Sequence, residues 1–304
     1  MKTNVFRHVS ICLMLMSGMQ QVNGQTATTA KTLYVQVNGD KIAYRSFGKG
    51  SPMVLATRMR GTIDTWDPLF LDKLAEVHNV ITFDYPGIGY STGSLPPDIG
   101  QVAKFVNDFA TEIKLKKFAL AGWSWGGLVA QAVLLEYPER LTHAILIGTN
   151  PPGKVENPTQ QFWIDRALKP VNDLADEEIL FFEPKSEASV KAAKLSHDRI
   201  YKRPGVESKI PSTIDVFQLY FKGAQGFKED KANLKERLTK TTLSILIICG
   251  DNDPSVPVEN WYPLIGEIPA GQLIVLPGTG HGPQHQYPEL SAKYMIEFIK
   301  YTAK

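Results

Sequence analysis

Two patterns of apolar residues divide this chain. Near its start, apolar and polar residues alternate along Leu33-Tyr34-Val35-Gln36-Val37 and again along Lys41-Ile42-Ala43-Tyr44-Arg45. Between them stands Asn38-Gly39-Asp40, and an Asn-Gly pair readily adopts the left-handed backbone of a tight hairpin. Farther on, the runs are apolar on both faces: Pro52 to Ala56, Val80 to Phe83, Phe118 to Ala121, Ala144 to Ile147, Ile245 to Ile248 and Leu273 to Leu276. Such runs form central strands of a parallel sheet covered on both sides by helices. The segments Leu69 to Val77, Val102 to Lys114, Leu128 to Tyr137 and Leu290 to Ile299 carry apolar residues three and four apart, the stripe of an amphipathic helix. Strand and helix alternating in this way predict one α/β domain: a mostly parallel, doubly wound sheet with an antiparallel hairpin at its N-terminal edge.

One stretch breaks the alternation. From Asn150 to about Thr242 no strand run occurs, and amphipathic segments follow one another at Leu174 to Phe182, Ala188 to Tyr201 and Ile214 to Phe221. This reads as a helical insertion, residues 150–242, that divides the sheet into residues 25–149 and 243–304. Its aromatic content argues against a disordered loop.

The first two dozen residues belong to neither pattern. Lys2 and Arg7 precede the apolar run Val9 to Met16, and small or polar residues follow as far as Gly24. This is the layout of a secretory signal cleaved after Gly24, and it implies an exported protein, periplasmic or secreted. The run is far shorter than the roughly 20 residues a membrane anchor needs, and Cys12 lies inside it rather than after it, where a lipid-bearing cysteine would stand. Removing residues 1–24 takes away two basic residues and no acid, so acidic and basic residues then balance. That balance gives no footing for a nucleic-acid partner or an anionic membrane surface. Of the two cysteines only Cys249 remains, which allows no internal disulfide and no thiolate metal cluster. Composition is otherwise that of an ordinary globular chain, 43% hydrophobic and 21% charged.

Candidate chemistry begins at Gly122-Trp123-Ser124-Trp125-Gly126-Gly127, which follows a strand run and opens a helix. In a strand-to-helix elbow the central serine sits in a strained turn, and its neighbours must be small because the backbone crosses close to itself. A serine hydroxyl needs a histidine to take its proton and a carboxylate to hold that histidine. His281, between Gly280 and Gly282, follows the last strand run and the turn at Pro277-Gly278; His285 is the reserve candidate. His78, His143 and His197 read as structural. The strand run Ile245 to Ile248 leads into Cys249-Gly250-Asp251-Asn252-Asp253, which offers two acids. Both lie where the sheet's carboxyl edge is expected, and the order serine, aspartate, histidine belongs to one serine-hydrolase architecture. No His-Glu-x-x-His pattern marks a metal, and no cofactor is implied.

On these residues the chain resembles the α/β-hydrolase superfamily over essentially the whole of residues 25–304. A family motif usually written D-x-x-G-x-G-x-S appears as Asp84 to Ser91, and the family's G-x-x-D loop as Gly250 to Asp253. The resemblance implies Ser124 as nucleophile, Asp253 rather than Asp251 as orienting acid, His281 as base and residues 150–242 as a cap. It also implies that the N–H of Trp125 forms half of the oxyanion hole, with the Trp125 side chain lining the substrate pocket. The His-Gly pair usual after the third strand is replaced by Thr57-Arg58-Met59-Arg60-Gly61, as in a subgroup with R-G-x-x-D-x-W-D-P. The second oxyanion donor is therefore assigned to the N–H of Met59, with Arg58 and Arg60 alternatively tying the loop down, for instance to Asp64. Trp123 is expected in the base of the elbow, and plain core packing remains open for either tryptophan. The implied activity is hydrolysis of an ester-like bond in a small, hydrophobic substrate. Peptidase, C–C hydrolase, acyltransferase and perhydrolase chemistry on the same triad stay open, as does a binding protein without turnover. Substrate identity and oligomeric state are not set by the sequence.

Overall fold

The structure, a computed structural model, describes residues 24–303; the expected export signal lies outside them apart from Gly24. Eight strands form one sheet: β1 (Leu33–Val37), β2 (Asp40–Gly48), β3 (Ser51–Ala56), β4 (His78–Phe83), β5 (Phe118–Trp123), β6 (Leu141–Ile147), β7 (Ile245–Gly250) and β8 (Gly271–Leu276). Their order across the sheet is β1-β2-β4-β3-β5-β6-β7-β8. The first two strands pair antiparallel through Asn38-Gly39, and the nine-residue β2 runs on to pair antiparallel with β4. From β4 to β8 every pairing is parallel.

Side chains of the central strands alternate between two helical layers, as their pleat requires. Val54, Ala56, Phe118, Leu120, Ala144, Leu146, Ile245 and Ile247 face one layer. There they meet α2 (Ile99–Glu112) and α3 (Trp125–Glu136), where Phe105, Phe109 and Val133 are buried. Met53, Leu55, Ala119, Ala121, Ile145, Ile147, Leu246 and Ile248 face the other. That layer is α1 (Pro68–Ala75) and the C-terminal helix Pro288–Thr302. Both faces being apolar is what the continuous hydrophobic runs require.

Five helices occupy the stretch between β6 and β7: α4 (Gln161–Ala167), α5 (Leu174–Phe181), α6 (Glu187–Ile200), α7 (Ile214–Glu229) and α8 (Leu234–Leu238). Sequence periodicity points to α5 and α6 within a residue at either end. It stops α7 eight residues early, because Gly223 and Gly226 interrupt its pattern. Gly223 faces Ile99 and the Trp125 ring, which a Cβ there would meet at ordinary contact distance. The short α4 and α8 have too few turns to show a period. After β8 come α9 (Pro283–Gln286) and α10 (Pro288–Thr302). Among the described residues no helix is long and apolar enough to cross a membrane.

Arginines fasten the insertion to the sheet. Arg60 donates from its guanidinium to the carbonyls of Pro211, Ala167, Lys169 and Pro170 and to Asn172 Oδ1, all at 2.8–2.9 Å. Three of those carbonyls, from Ala167 to Pro170, lie at or just beyond the C-terminal end of α4, where a helix presents unpaired acceptors. Arg199 grips both oxygens of Asp67 at 2.8 and 2.6 Å. Arg237 pairs with Glu136 at 2.6 Å, and Arg203 reaches Asp64 at 3.4 Å. Asp64 itself is held by Arg45 at 2.6 Å and by the Tyr90 hydroxyl at 2.8 Å. Arg60 therefore ties the loop to the insertion, and Asp64 takes its partners from other elements.

Candidate active site

Four connections at the carboxyl ends of β3, β5, β7 and β8 converge on one spot. The strand order reverses there, since β3 is followed by β4 on one side and β5 on the other, and open α/β sheets leave a crevice at such a point. Ser124 stands between β5 and α3 with φ 57° and ψ −120°, a left-handed setting that costs a non-glycine residue about 1–3 kcal/mol. Its N–H donates to Ile147 O at 2.9 Å, which fixes the turn against β6. The flanking glycines answer close approaches. A Cβ on Gly122 would collide with the carbonyl of Gly126, and one on Gly126 with the carbonyls of Ala56 and Thr57. The loop after β3 thus lies directly over the elbow.

Ser124 Oγ and His281 Nε2 are 2.8 Å apart, and His281 Nδ1 lies 2.7 Å from Asp253 Oδ2. A carboxylate only accepts, so the ring proton sits on Nδ1 and the Nε2 lone pair faces the serine hydroxyl. Asp253 is set for this by its other oxygen, which accepts from the N–H groups of Ser255 and Val256 at 2.8 and 3.0 Å. Its neighbour Asp251 is exposed and has another task. Asp251 Oδ1 accepts from Thr279 N at 3.1 Å, stapling the loop that carries His281. Gly282 N donates to Phe181 O at 2.7 Å, and a Cβ on Gly280 would strike the carbonyl of Phe182. The glycines around His281 therefore let the end of α5 cross the histidine loop.

His285, the reserve candidate, does not reach the serine. It is buried against Trp123, with ring centroids 4.6 Å apart. Burial first, and then the positive charges of Arg58 and Arg199, push its pKa down to about 3 against the pull of Asp67, so it stays neutral. Asp84, first residue of the D-x-x-G-x-G-x-S motif, is architectural. It accepts from Ile63 N and Tyr90 N at 2.7 and 2.9 Å, joining the ends of two loops, and burial raises its pKa to about 7.

The two tryptophans beside Ser124 are tie points. Trp123 donates from Nε1 to His281 O at 2.8 Å, holding the backbone of the histidine loop from beneath. Trp125, expected to wall the pocket, is not among the residues lining the cavity at Ser124. Its ring is 5% exposed, packs edge-on against Tyr85 and Tyr220, and donates to Tyr220 O at 3.1 Å. That bond and the edge-on contact with the Tyr220 ring hold it to α7.

The cavity at Ser124 is small and partly open to solvent. Its walls are Arg58, Met59 and Arg60 from the loop after β3, and Trp163, Ala167, Asn172, Leu180 and Phe181 from the insertion. Trp163 also stands edge-on to His281 with centroids 5.4 Å apart. Sequence reasoning names Met59 here but none of the insertion's lining residues, whose only mark is an aromatic on an amphipathic segment. Among the described residues the backbone N–H groups of Met59 and Trp125 donate to no protein acceptor. Likewise among the described residues, no group of three His, Cys, Asp or Glu side chains is placed to hold a metal.

Comparison with known proteins agrees with this architecture. The sequence model of the alpha/beta hydrolase fold matches residues 56–288. A dihydrolipoyllysine-residue acetyltransferase component of the acetoin cleaving system from Cupriavidus necator is 27% identical over 246 residues, 78% of this chain; the chain spans only 61% of that relative's length. A pimeloyl-[acyl-carrier protein] methyl ester esterase from Vibrio campbellii is 25% identical over 79% of this chain and 91% of its own. Among solved structures, an alpha/beta hydrolase fold protein from Chitinophaga pinensis superposes with a TM-score of 0.81 at 26% identity, covering 90% of this chain and 99% of that one.

Proposed function

Because the chain belongs to the alpha/beta hydrolase fold family, we propose that it is a serine hydrolase that cleaves an ester-like bond through an acyl-enzyme. One observation carries the reading: the unbroken relay from Ser124 Oγ to His281 Nε2, and from His281 Nδ1 to Asp253, at 2.8 and 2.7 Å. Ser124 Oγ attacks the ester carbonyl carbon while His281 Nε2 takes the hydroxyl proton. The carbonyl oxygen becomes an oxyanion held by the N–H groups of Trp125 and Met59. Collapse of this intermediate expels the alcohol, which leaves with the proton from His281. Water then repeats the sequence: His281 takes a proton from it, the resulting hydroxide attacks the acyl carbon, and the carboxylic acid departs as Ser124 regains its hydrogen. Asp253 keeps the imidazole in the required tautomer and balances its transient charge.

Residues 150–242 act as a cap, since Trp163, Leu180 and Phe181 close the cavity above Ser124. The lining favours a small acyl chain with an apolar middle. The N-terminal 24 residues direct export, which N-terminal sequencing of the protein from its host would check by a start at Gln25. The hydrolase reading itself is tested by a panel of 4-nitrophenyl acyl esters. Wild-type protein is expected to hydrolyse the short members, and Ser124→Ala to reduce turnover by about 10⁴-fold or more with its melting temperature preserved. A folded Ser124→Ala protein with undiminished turnover would contradict it.

A further inference from the structure

Arg58 is a cation with no carboxylate in direct contact among the described residues, Glu177 being its nearest acidic influence. Every other arginine in the insertion or facing it is paired or saturated: Arg45, Arg166, Arg199, Arg203 and Arg237 each meet a carboxylate, and Arg60 spends its N–H groups on four carbonyls and an amide oxygen. Arg58 pairs with no carboxylate among the described residues. Its Nη1 donates to Met59 O at 2.8 Å, and its buried Nε has no partner. The guanidinium lies over the Phe181 ring at 4.4 Å and the Trp123 ring at 5.3 Å, so its plane is held from the side. Glu177, which shares two adjoining cavities with Arg58, is engaged elsewhere, by His197 Nδ1 at 2.8 Å and the Tyr201 hydroxyl at 2.7 Å.

A half-buried cation whose Nε is fully buried and unpartnered is costly unless something else supplies the anion. The position of this one says where that anion comes from. Arg58 lines the cavity that holds Ser124, together with Met59, Trp163 and Leu180, and it also lines a wider, adjoining cavity bounded by Asn172, Glu177 and Tyr201. A guanidinium presents a planar fork of donors that matches a carboxylate.

We propose that Arg58 receives a carboxylate at the far end of the substrate's acyl chain, which makes the substrates half-esters of short dicarboxylic acids. The proposal rests on Ser124 being the nucleophile. The scissile ester meets Ser124, the methylene chain crosses the apolar walls, and the free carboxylate meets the guanidinium. Arg58 is then a specificity residue and takes no part in proton transfer.

The test compares the monomethyl esters of succinic, glutaric and adipic acids with methyl pentanoate, following release of methanol. At least one half-ester is expected to exceed methyl pentanoate in kcat/KM by about 10–100-fold, the range of a charge-assisted pair. In Arg58→Met this preference should collapse towards one, chiefly through KM; Arg58→Lys should restore part of it, as a point charge without the fork. A second arm needs no turnover: Ser124→Ala titrated with monomethyl glutarate should bind at least 10-fold more tightly than the Ser124→Ala/Arg58→Met double variant. Turnover of methyl pentanoate with no preference for any half-ester overturns the carboxylate site and leaves the hydrolase reading standing. Equal loss of kcat on charged and neutral esters in Arg58→Met also overturns it, because the arginine would then act at the shared carbonyl. Arg58-dependent binding in a protein that hydrolyses nothing would instead remove the hydrolase reading and leave the anion site.

Discussion

Asp253 and Asp251 are two residues apart and chemically identical, yet their surroundings give them opposite parts. Asp253 is buried, with one oxygen on His281 and the other on two backbone N–H groups; Asp251 is exposed and staples Thr279. Asp253→Asn offers the imidazole an N–H as well as an oxygen, which permits the wrong tautomer, and is expected to lower kcat by about 10⁴-fold. Asp251→Asn keeps an oxygen that accepts from Thr279 and should cost far less. Steady-state kinetics of the two variants on one ester decides this, and a reversed ranking would contradict the assignment. At this scale the sequence was most legible. The glycines around Ser124 and His281 are readable because close backbone approaches leave room for nothing else. Choosing between the acids needed the family's loop motif, since both lie past the same strand. The Trp125 ring and the pairing of Asp64 were not legible. Both depend on which residues of a distant segment, 95 positions away for Tyr220, fold back to meet them.

At the scale of elements, the loop from Thr57 to Gly61 carries two functions in five residues. Arg60, at φ 62°, turns the chain so that its guanidinium reaches the insertion, while Met59 faces the serine cavity. If the Met59 N–H stabilises the oxyanion, Met59→Leu should change kcat little, because the side chain is not the working group. Met59→Pro deletes the N–H and is expected to lower kcat by roughly 10²–10³, the loss typical of one missing oxyanion donor. A crystal structure showing Ser124 and the loop in place, with melting temperature nearly unchanged, makes the comparison clean. A well-folded proline variant with near-normal kcat would remove Met59 from the hole. Strands β3 to β7 were legible here because burial on both faces writes itself as a continuous apolar run; β8 carries such a run yet is the edge strand, with Val275 exposed. The helices of the insertion were legible only where two or more turns carried a stripe, as α5 and α6 do. The glycines of α7 and the brevity of α4 and α8 hid the rest, and with them the residues that shape the cavity.

For the whole molecule, stability depends on pH through His285, which stands outside the proposed relay. His285 has a pKa pushed down to about 3 by burial, against about 6.5 when unfolded. Between those values the unfolded chain binds the proton and the folded one does not, so this histidine's share of stability falls as pH drops below 6.5. His285→Gln removes the titration. The stability advantage of wild type over that variant should shrink by about 1.4 kcal/mol per pH unit below 6.5, followed by denaturant unfolding between pH 8 and 4.5. A gap that stays constant would show that His285 takes up its proton in the folded protein as well.

Hydrolysis as proposed requires Ser124 to be an activated nucleophile, and mass spectrometry of the protein treated with a fluorophosphonate checks this at the residue itself. The predicted result is one adduct per chain, mapped to the peptide carrying Ser124, absent in Ser124→Ala and slowed severely in His281→Gln. An adduct on another serine, or labelling of Ser124 at an unchanged rate without His281, would contradict it.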